Sequence, residues 1–211
     1  FDVFSNGGIQ IAGNARVTGG LYSGGPGVRV YDAAVVQGEM GKGDITVPDW
    51  IPSDEVELIW RWRDNDDIPR TDLGRDPTSD SNLVLTLYGG DSLTLDGGLY
   101  YFNELSLSGG ATLEFTSRTF IVVDGPMEIS TGSSFMTDEP GDVLIIGTDD
   151  AAIEISDGAS VSMRMYAPYA PVQISGDGTS FTGALVGGTL QMSGASTMEV
   201  TEDALHIWNP C

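Results

Sequence analysis

The sequence is poor in the residues from which many catalytic and metal sites are built. It contains one cysteine, Cys211, and one histidine, His206. A single cysteine excludes a disulfide within the chain, and one cysteine with one histidine speaks against a zinc site. We predict that His206, which lies beyond the last repeat beside Trp208, has a packing or capping role rather than that of a general base.

Basic residues and long apolar runs are also scarce. Nine lysines and arginines stand against 31 acidic residues, and the formal net charge is −22. Such a charge repels phosphate backbones and attracts divalent cations or basic surfaces, so we expect no nucleic-acid partner. No run approaches the roughly 18 apolar residues that suggest a membrane-spanning helix, so we expect no membrane span in this chain.

The residues that are abundant favour strands over helices. The 211 residues include 29 glycines, and 40% of the chain is hydrophobic. Glycine and β-branched residues are both unfavourable in helices, while the apolar content is sufficient for a core. We therefore predict an all-β protein in which residues 1–211 form a single domain.

One short phrase recurs along the chain: two apolar residues around a polar one, then a small residue and a Gly or Asp turn. The six copies begin at Ile9, Leu105, Met127, Ile153, Val172 and Leu190. From Leu105 onward the copies start 22, 26, 19 and 18 residues apart. A period near 20 fits one coil of a solenoid, in which no coil can bury its apolar face alone.

The repeat therefore predicts a parallel β-helix, or β-solenoid, in which successive coils stack in register. We expect it to be right-handed, because parallel crossovers almost always are. Short strands with Gly-rich turns are also typical of sandwiches and barrels, and hairpin signals such as Asn6-Gly7 and Asp96-Gly97 occur. The persistence of the phrase favours the solenoid over these alternatives.

Residues 38–82 interrupt the repeat, and we interpret them as an irregular excursion from the solenoid. Asp64, Asp66 and Asp67, with Asp72 nearby, offer the oxygen ligands that calcium prefers, although an EF-hand's Gly and closing Glu are lacking. Calcium is thus the one cofactor we consider, and none is required. The alternating strip Trp60, Arg61, Trp62 and Arg63 either binds a partner or a sugar ring, or seals one side of the solenoid.

Several segments resemble a known family. Residues 97–111 read GGLYYFNELSLSGGA, and residues 166–171 read YAPYAP just before another copy of the phrase. The chain resembles the β-helical domains of unknown function in PilX-type pilus-assembly and related bacterial envelope proteins, closely over 83–205 and more loosely over 1–37. A weaker resemblance links it to the bactofilins, which are cytoplasmic β-helical polymers. The first resemblance implies a surface or envelope protein, and it supplies no catalytic residue.

No catalytic constellation is apparent in the sequence, and we predict a protein that is not an enzyme. The adjacent carboxylates Asp149 and Asp150 are typical of solvated turns, and no nucleophile elbow or phosphate loop occurs. A carbohydrate-active enzyme on a β-helix would need paired carboxylates in a groove and would release sugars from acidic polysaccharides.

We expect a structural subunit of an extracellular filament, pilus or surface assembly, because the uncapped ends of a β-helix invite strand pairing. Its partners would be further copies of itself or other envelope proteins. The predicted contact or capping residues are Phe1, Phe4, Leu205, Trp208 and Cys211, the last as an interchain bridge, a truncation point or an accident. The alternative is an adhesin that presents 38–82 to a glycan or host surface. Because the chain begins at Phe1 rather than Met, we also expect an upstream segment to be missing.

Overall fold

The chain folds as an all-β, parallel solenoid of about eight turns, as the repeat predicts. The computed structural model describes residues 2–42, 73–74, 83–138, 140 and 142–201. These residues form 21 strands, and the described ranges contain no helix. The handedness stays a prediction.

The strands lie in three parallel stacks, which we number in the order in which each turn visits them. Stack 1 contains β9 (Val84–Tyr88), β12 (Glu104–Ser108), β15 (Met127–Ile129), β18 (Ile153–Ile155), the last residues of β19 (Ser160–Ile174) and of β20 (Ser180–Met192), β2 (Ile9–Ile11) and β5 (Val28–Val30). Stack 2 contains β10 (Ser92–Leu95), β13 (Thr112–Phe115), β16 (Ser134–Thr137), the first residues of β19 and β20, β21 (Thr197–Val200), β3 (Arg16–Thr18) and β6 (Val35–Gln37).

Stack 3 completes each turn. It contains β11 (Gly98–Phe102), β14 (Thr119–Val123), β17 (Val143–Gly147), the middle of β19 and β20, β1 (Asp2–Ser5), β4 (Gly20–Ser23) and β7 (Met40–Lys42). One further strand, β8 (Leu73–Gly74), pairs antiparallel with β9. Of the predicted excursion 38–82, the structure thus describes residues 38–42, which include β7 and belong to the solenoid, and β8.

The six repeat phrases all lie in stack 1 and are aligned residue for residue. Leu105 pairs with Met127, and the register continues through Ile153, Val172 and Leu190 to Ile9. The apolar residues of each phrase face the core, whereas the polar residue between them points outward. Two further strands, β9 and β5, extend the same stack at its two ends.

The corner after each phrase explains the Gly or Asp that follows it. A residue with positive φ occurs there in every turn, for example Gly176 at +90° and Asp157 at +52°. Glycine adopts this left-handed conformation without strain, and Asp tolerates it better than most residues. Thr131, at φ +53°, is the exception, because a β-branched side chain is disfavoured there.

The spatial order of the turns differs from their order in the sequence. Strands β1 and β2 pair with β20, and β3 pairs with β21. Backbone bonds from Ala12 N–H to the Met192 carbonyl (2.8 Å) and from Asn14 N–H to the Gly194 carbonyl (2.7 Å) join the two regions. Residues 2–42 therefore continue the rod beyond residue 201.

The sixth turn is consequently built from two distant parts of the chain. The last residues of β20 and strand β21 supply its first two sides, and β1 supplies the third. Val200 lies beside Gly183, and Phe4 lies beside Val186. The same register places Asp2 beside Ala184. In the fifth turn, Gly183 and Ala184 are consecutive residues of one strand. In the sixth turn, the two corresponding positions are filled by Val200 of β21 and Asp2 of β1. Lys42 thus ends the last turn of the rod, and Val84 begins the first strand of its first turn.

Candidate association surface

The eighth turn of the rod, residues 28–42, is an open end within the described structure. Its strands β5, β6 and β7 pair on one side with β2, β3 and β4. No described strand pairs with their other edges. We call this turn the open turn. Unpaired edge groups of a sheet are a template for pairing with another chain.

The open turn exposes apolar side chains that occupy core positions. Val30 is 38% exposed and Met40 is 58% exposed. Their register partners in the seventh turn, Ile11 and Leu21, are fully buried. Burial of apolar area is favourable by about 25 cal/mol per Å². The open turn therefore presents apolar side chains like those of the core, and no further described turn covers them.

The opposite end of the rod is different. Leu85 and Leu87 of β9, in the first turn, are essentially buried. The outer edge of β9 is paired with β8, where Leu73 stands opposite Leu85. An antiparallel strand is therefore present at this edge, which blocks continuation of the parallel stack there.

Charge is also distributed unequally along the rod. Residues 2–42 contain 3 acidic and 3 basic residues, for a formal charge of zero. Residues 83–201 contain 15 acidic and 2 basic residues, for a formal charge of −13. The open turn thus belongs to the one part of the solenoid that is not strongly acidic.

A second apolar cluster lies on the outer side of stack 3. One ladder of outward-facing side chains runs in register through Tyr101, Val122, Ile146, Tyr166, Val186, Phe4 and Tyr22. Val122 is fully buried although it faces away from the core, so this sheet has apolar packing on both sides.

A shallow groove of about 380 Å³ lies on stack 2, across β20, β21, β3 and β6. Its described lining is mainly hydroxyl and amide side chains, with Arg16 and Glu199 as the charged members. Glu199 is the one carboxylate among the described residues of this lining.

Most of the residues predicted to form sites lie outside the described residues. These are Asp64, Asp66, Asp67 and Asp72 of the calcium prediction, Trp60, Arg61, Trp62 and Arg63 of the aromatic strip, and Phe1, Leu205, Trp208 and Cys211 of the assembly prediction. Their roles stay predictions. Within the part of the chain that is described, no group of three or more His, Cys, Asp or Glu side chains is placed to hold a metal ion.

Phe4 is the one predicted assembly residue that the structure describes. It lies in β1, between β20 and β4, and both edges of its strand are paired. Its ring is half-buried and stacks on Tyr22, with 5.5 Å between ring centroids. Phe4 thus lies on the side of the rod, and a contact with another molecule would use its side chain rather than its backbone.

Sequence reasoning missed the open turn. Val28, Arg29 and Val30 repeat the apolar-polar-apolar phrase, and Asp32 supplies the left-handed corner, so a seventh copy was recognisable. The position of this copy at the end of the rod was not recognisable, because it follows from the junction of β2 with β20.

The comparisons with known proteins give no relative. No family model, no curated protein and no solved structure matches the chain. The β-solenoid fold therefore stands on the structure itself. The described part of the chain contains no helix with the length and apolar character that crossing a bilayer requires.

Proposed function

We propose that the protein is a non-catalytic structural subunit of a bacterial surface assembly, a solenoid rod that associates through its open turn. The observation that carries this proposal is the exposure of Val30 and Met40 at positions where every preceding turn is buried. Association would cover these side chains and pair the free edges of β5, β6 and β7.

The rest of the molecule supports a structural role. Parallel hydrogen-bonded stacks run through all the turns, and one apolar core extends along the rod. A scaffold of this kind is stiff, because each inner turn is held by pairing to both of its neighbours. The resemblance to β-helical domains of pilus-assembly and envelope proteins supports a location at the cell surface. The acidic surface would make assembly sensitive to cations, which screen the repulsion between rods.

The proposal is tested by measuring the mass of the purified chain by light scattering over a range of concentrations. We expect a mass above that of one chain, and we expect Met40→Asp to restore the monomer by placing a charge in the contact. Tyr88→Asp is the matched control, since Tyr88 is 66% exposed at the opposite end of the rod. A monomer at every concentration would contradict the proposal.

The adhesin alternative makes a different prediction. If residues 38–82 present a glycan- or host-binding surface, the Trp60→Ala and Trp62→Ala changes abolish binding and leave the mass unchanged. If these changes instead dissociate the assembly, the strip is an assembly element. Release of reducing sugars from acidic polysaccharides, lost on carboxylate substitution, would overturn the non-catalytic proposal.

A further inference from the structure

We infer that the open turn binds a second copy of this chain, open turn against open turn, about a two-fold axis. This inference rests on the proposed function, which makes the open turn an association surface. It adds the identity of the partner, the symmetry of the contact and a limit on the size of the assembly.

The two ends of the rod disfavour the simplest alternative, a head-to-tail filament. Such a filament would require β5 of one copy to continue the parallel stack onto β9 of the next. The edge of β9 is already paired with β8. The core side chains of the first turn, such as Leu85 and Leu87, are moreover buried within the chain itself. The first turn therefore has unpaired outer edges at β10 and β11 among the described strands, but it offers neither the edge of β9 nor an exposed apolar core surface to the open turn of another copy.

Charge favours the same arrangement. A head-to-tail contact brings the neutral segment 2–42 of one copy against the segment 83–201 of the next, which carries −13 and continues along the rod. An open-turn contact instead brings two neutral segments together and places the two acidic segments at the far ends. With a Debye length of about 8 Å at physiological ionic strength, acidic turns several strand spacings from the contact are largely screened.

The open turn also has the charges that a self-complementary surface needs. Arg29 and Lys42 are basic, whereas Asp32 and Glu39 are acidic, so this turn alone is neutral and carries both signs. In a two-fold contact each basic residue of one copy has an acidic residue of the other copy available. A two-fold axis perpendicular to the rod reverses strand direction across the contact in at least one stack. Antiparallel pairing of an end strand already occurs at β9 with β8.

The contact is closed, because it uses the same turn of both copies and leaves neither open turn free for a third copy. The assembly that it produces is a dimer about sixteen turns long, or roughly 77 Å at about 4.8 Å per strand spacing. Longer structures would then need a different protein or a different surface. This limit separates the inference from the general proposal that the rod assembles.

Energy transfer between dyes on the full-length chain tests the arrangement. In a Cys211→Ser background, Ala33→Cys labels the exposed corner of the open turn and Tyr88→Cys labels the opposite end. Donor-labelled and acceptor-labelled chains are mixed in three combinations: open end with open end, far end with far end, and open end with far end. Met40→Asp in both chains is the variant that should abolish transfer.

Open-turn pairing predicts the strongest transfer for Ala33→Cys with Ala33→Cys. It predicts the weakest transfer for the two far ends, which would lie roughly 70 Å apart. Strongest transfer between Ala33→Cys and Tyr88→Cys would establish a head-to-tail contact, which overturns this inference and keeps the proposed function. Strongest transfer between the two Tyr88→Cys chains would also overturn it. No transfer in any mixture, with a monomeric mass, would overturn the proposed function itself.

Discussion

Ile9 lies beside Leu190 in parallel register, although the two residues belong to opposite ends of the chain. This pairing places residues 2–42 after residue 201 along the rod. The polar residues of the two phrases, Gln10 and Gln191, are also neighbours, and Gln173 continues this outward ladder. The rod is thus continuous in space where the chain is not continuous in sequence.

A circularly permuted chain tests this continuity. The permutant begins at residue 43, runs to residue 211 and continues through a short Gly–Ser linker into residues 1–42. We expect it to fold with the strand content of the original and a similar melting temperature, because the order of turns then follows the sequence. The measurements are circular dichroism and thermal unfolding. A permutant that is unfolded, or that loses most of its cooperativity, would refute the pairing of β1, β2 and β3 with β20 and β21.

Gly183 marks the corner between stacks 2 and 3, where φ is +140° and a Cβ would overlap the backbone carbonyl of Met163. We expect Gly183→Ala to lower the free energy of unfolding by at least about 3 kcal/mol, through backbone overlap together with strain. Gly89→Ala is the control, since Gly89 has φ +63° and open space around its Cβ position. It should cost only about 1 kcal/mol. Equal costs in chemical denaturation would show that overlap at Gly183 is absent.

Thr131 is a β-branched residue in the left-handed region, at φ +53°, on the exposed surface. Replacing it with glycine should remove strain and raise the free energy of unfolding by about 1 kcal/mol. Thr18→Gly, in the exposed face of β3, should instead lower it by a similar amount, because glycine weakens a strand. Urea unfolding of both variants checks the pair. A loss of stability in Thr131→Gly would mean that its side chain stabilises the corner.

The outward-facing apolar ladder of stack 3 predicts that a charge introduced there lowers the stability of the chain. Alternation of apolar and polar residues alone would leave this side of the rod exposed. Val122→Asp should destabilise the chain by about 3 kcal/mol or more, because it places a charge in an apolar, fully buried position. Met136→Asp is the comparison, since Met136 also points outward but is 48% exposed. Its effect should be within about 0.5 kcal/mol. Thermal unfolding that fails to distinguish the two variants would argue against a covered outer face.

The calcium prediction rests on sequence alone and can be tested directly. If Asp64, Asp66 and Asp67 bind calcium, the ion should raise the melting temperature, since a ligand of the folded state stabilises it by about 2.7 kcal/mol at a hundredfold excess over Kd. Asp66→Asn should remove most of this shift, and Asp150→Asn, in an exposed turn, should not. An equal shift in both variants would assign the effect to general screening of the acidic surface.

The fold could be predicted because its signal is local and repeated. The phrases beginning at Leu105, Met127 and Ile153 each specify a strand, its buried face and the following corner. Stacking of such units requires no information beyond their period. The same reasoning could not order the copies, because the copy at Ile9 is as compatible with a first turn as with a seventh.

The candidate association surface could not be predicted from the sequence, for a related reason. Val30 and Met40 have the apolar character of core residues, and exposure follows only from the absence of a further described turn beyond them. The predicted contact residue Phe4 lies in a strand that the sequence places first and the fold places between β20 and β4. The sequence pattern identifies which side chains of a strand can be buried, whereas the topology of the fold decides which strand covers them.

Electron microscopy of the purified protein, with calcium and with chelator, tests the central claim most directly. The claim is that this solenoid is a structural subunit that associates through its open turn. We predict rods of about 77 Å, twice the length of one eight-turn solenoid at about 4.8 Å per turn, and single rods for Met40→Asp. Single rods of about 38 Å for the unmodified chain, with and without calcium, would contradict the account.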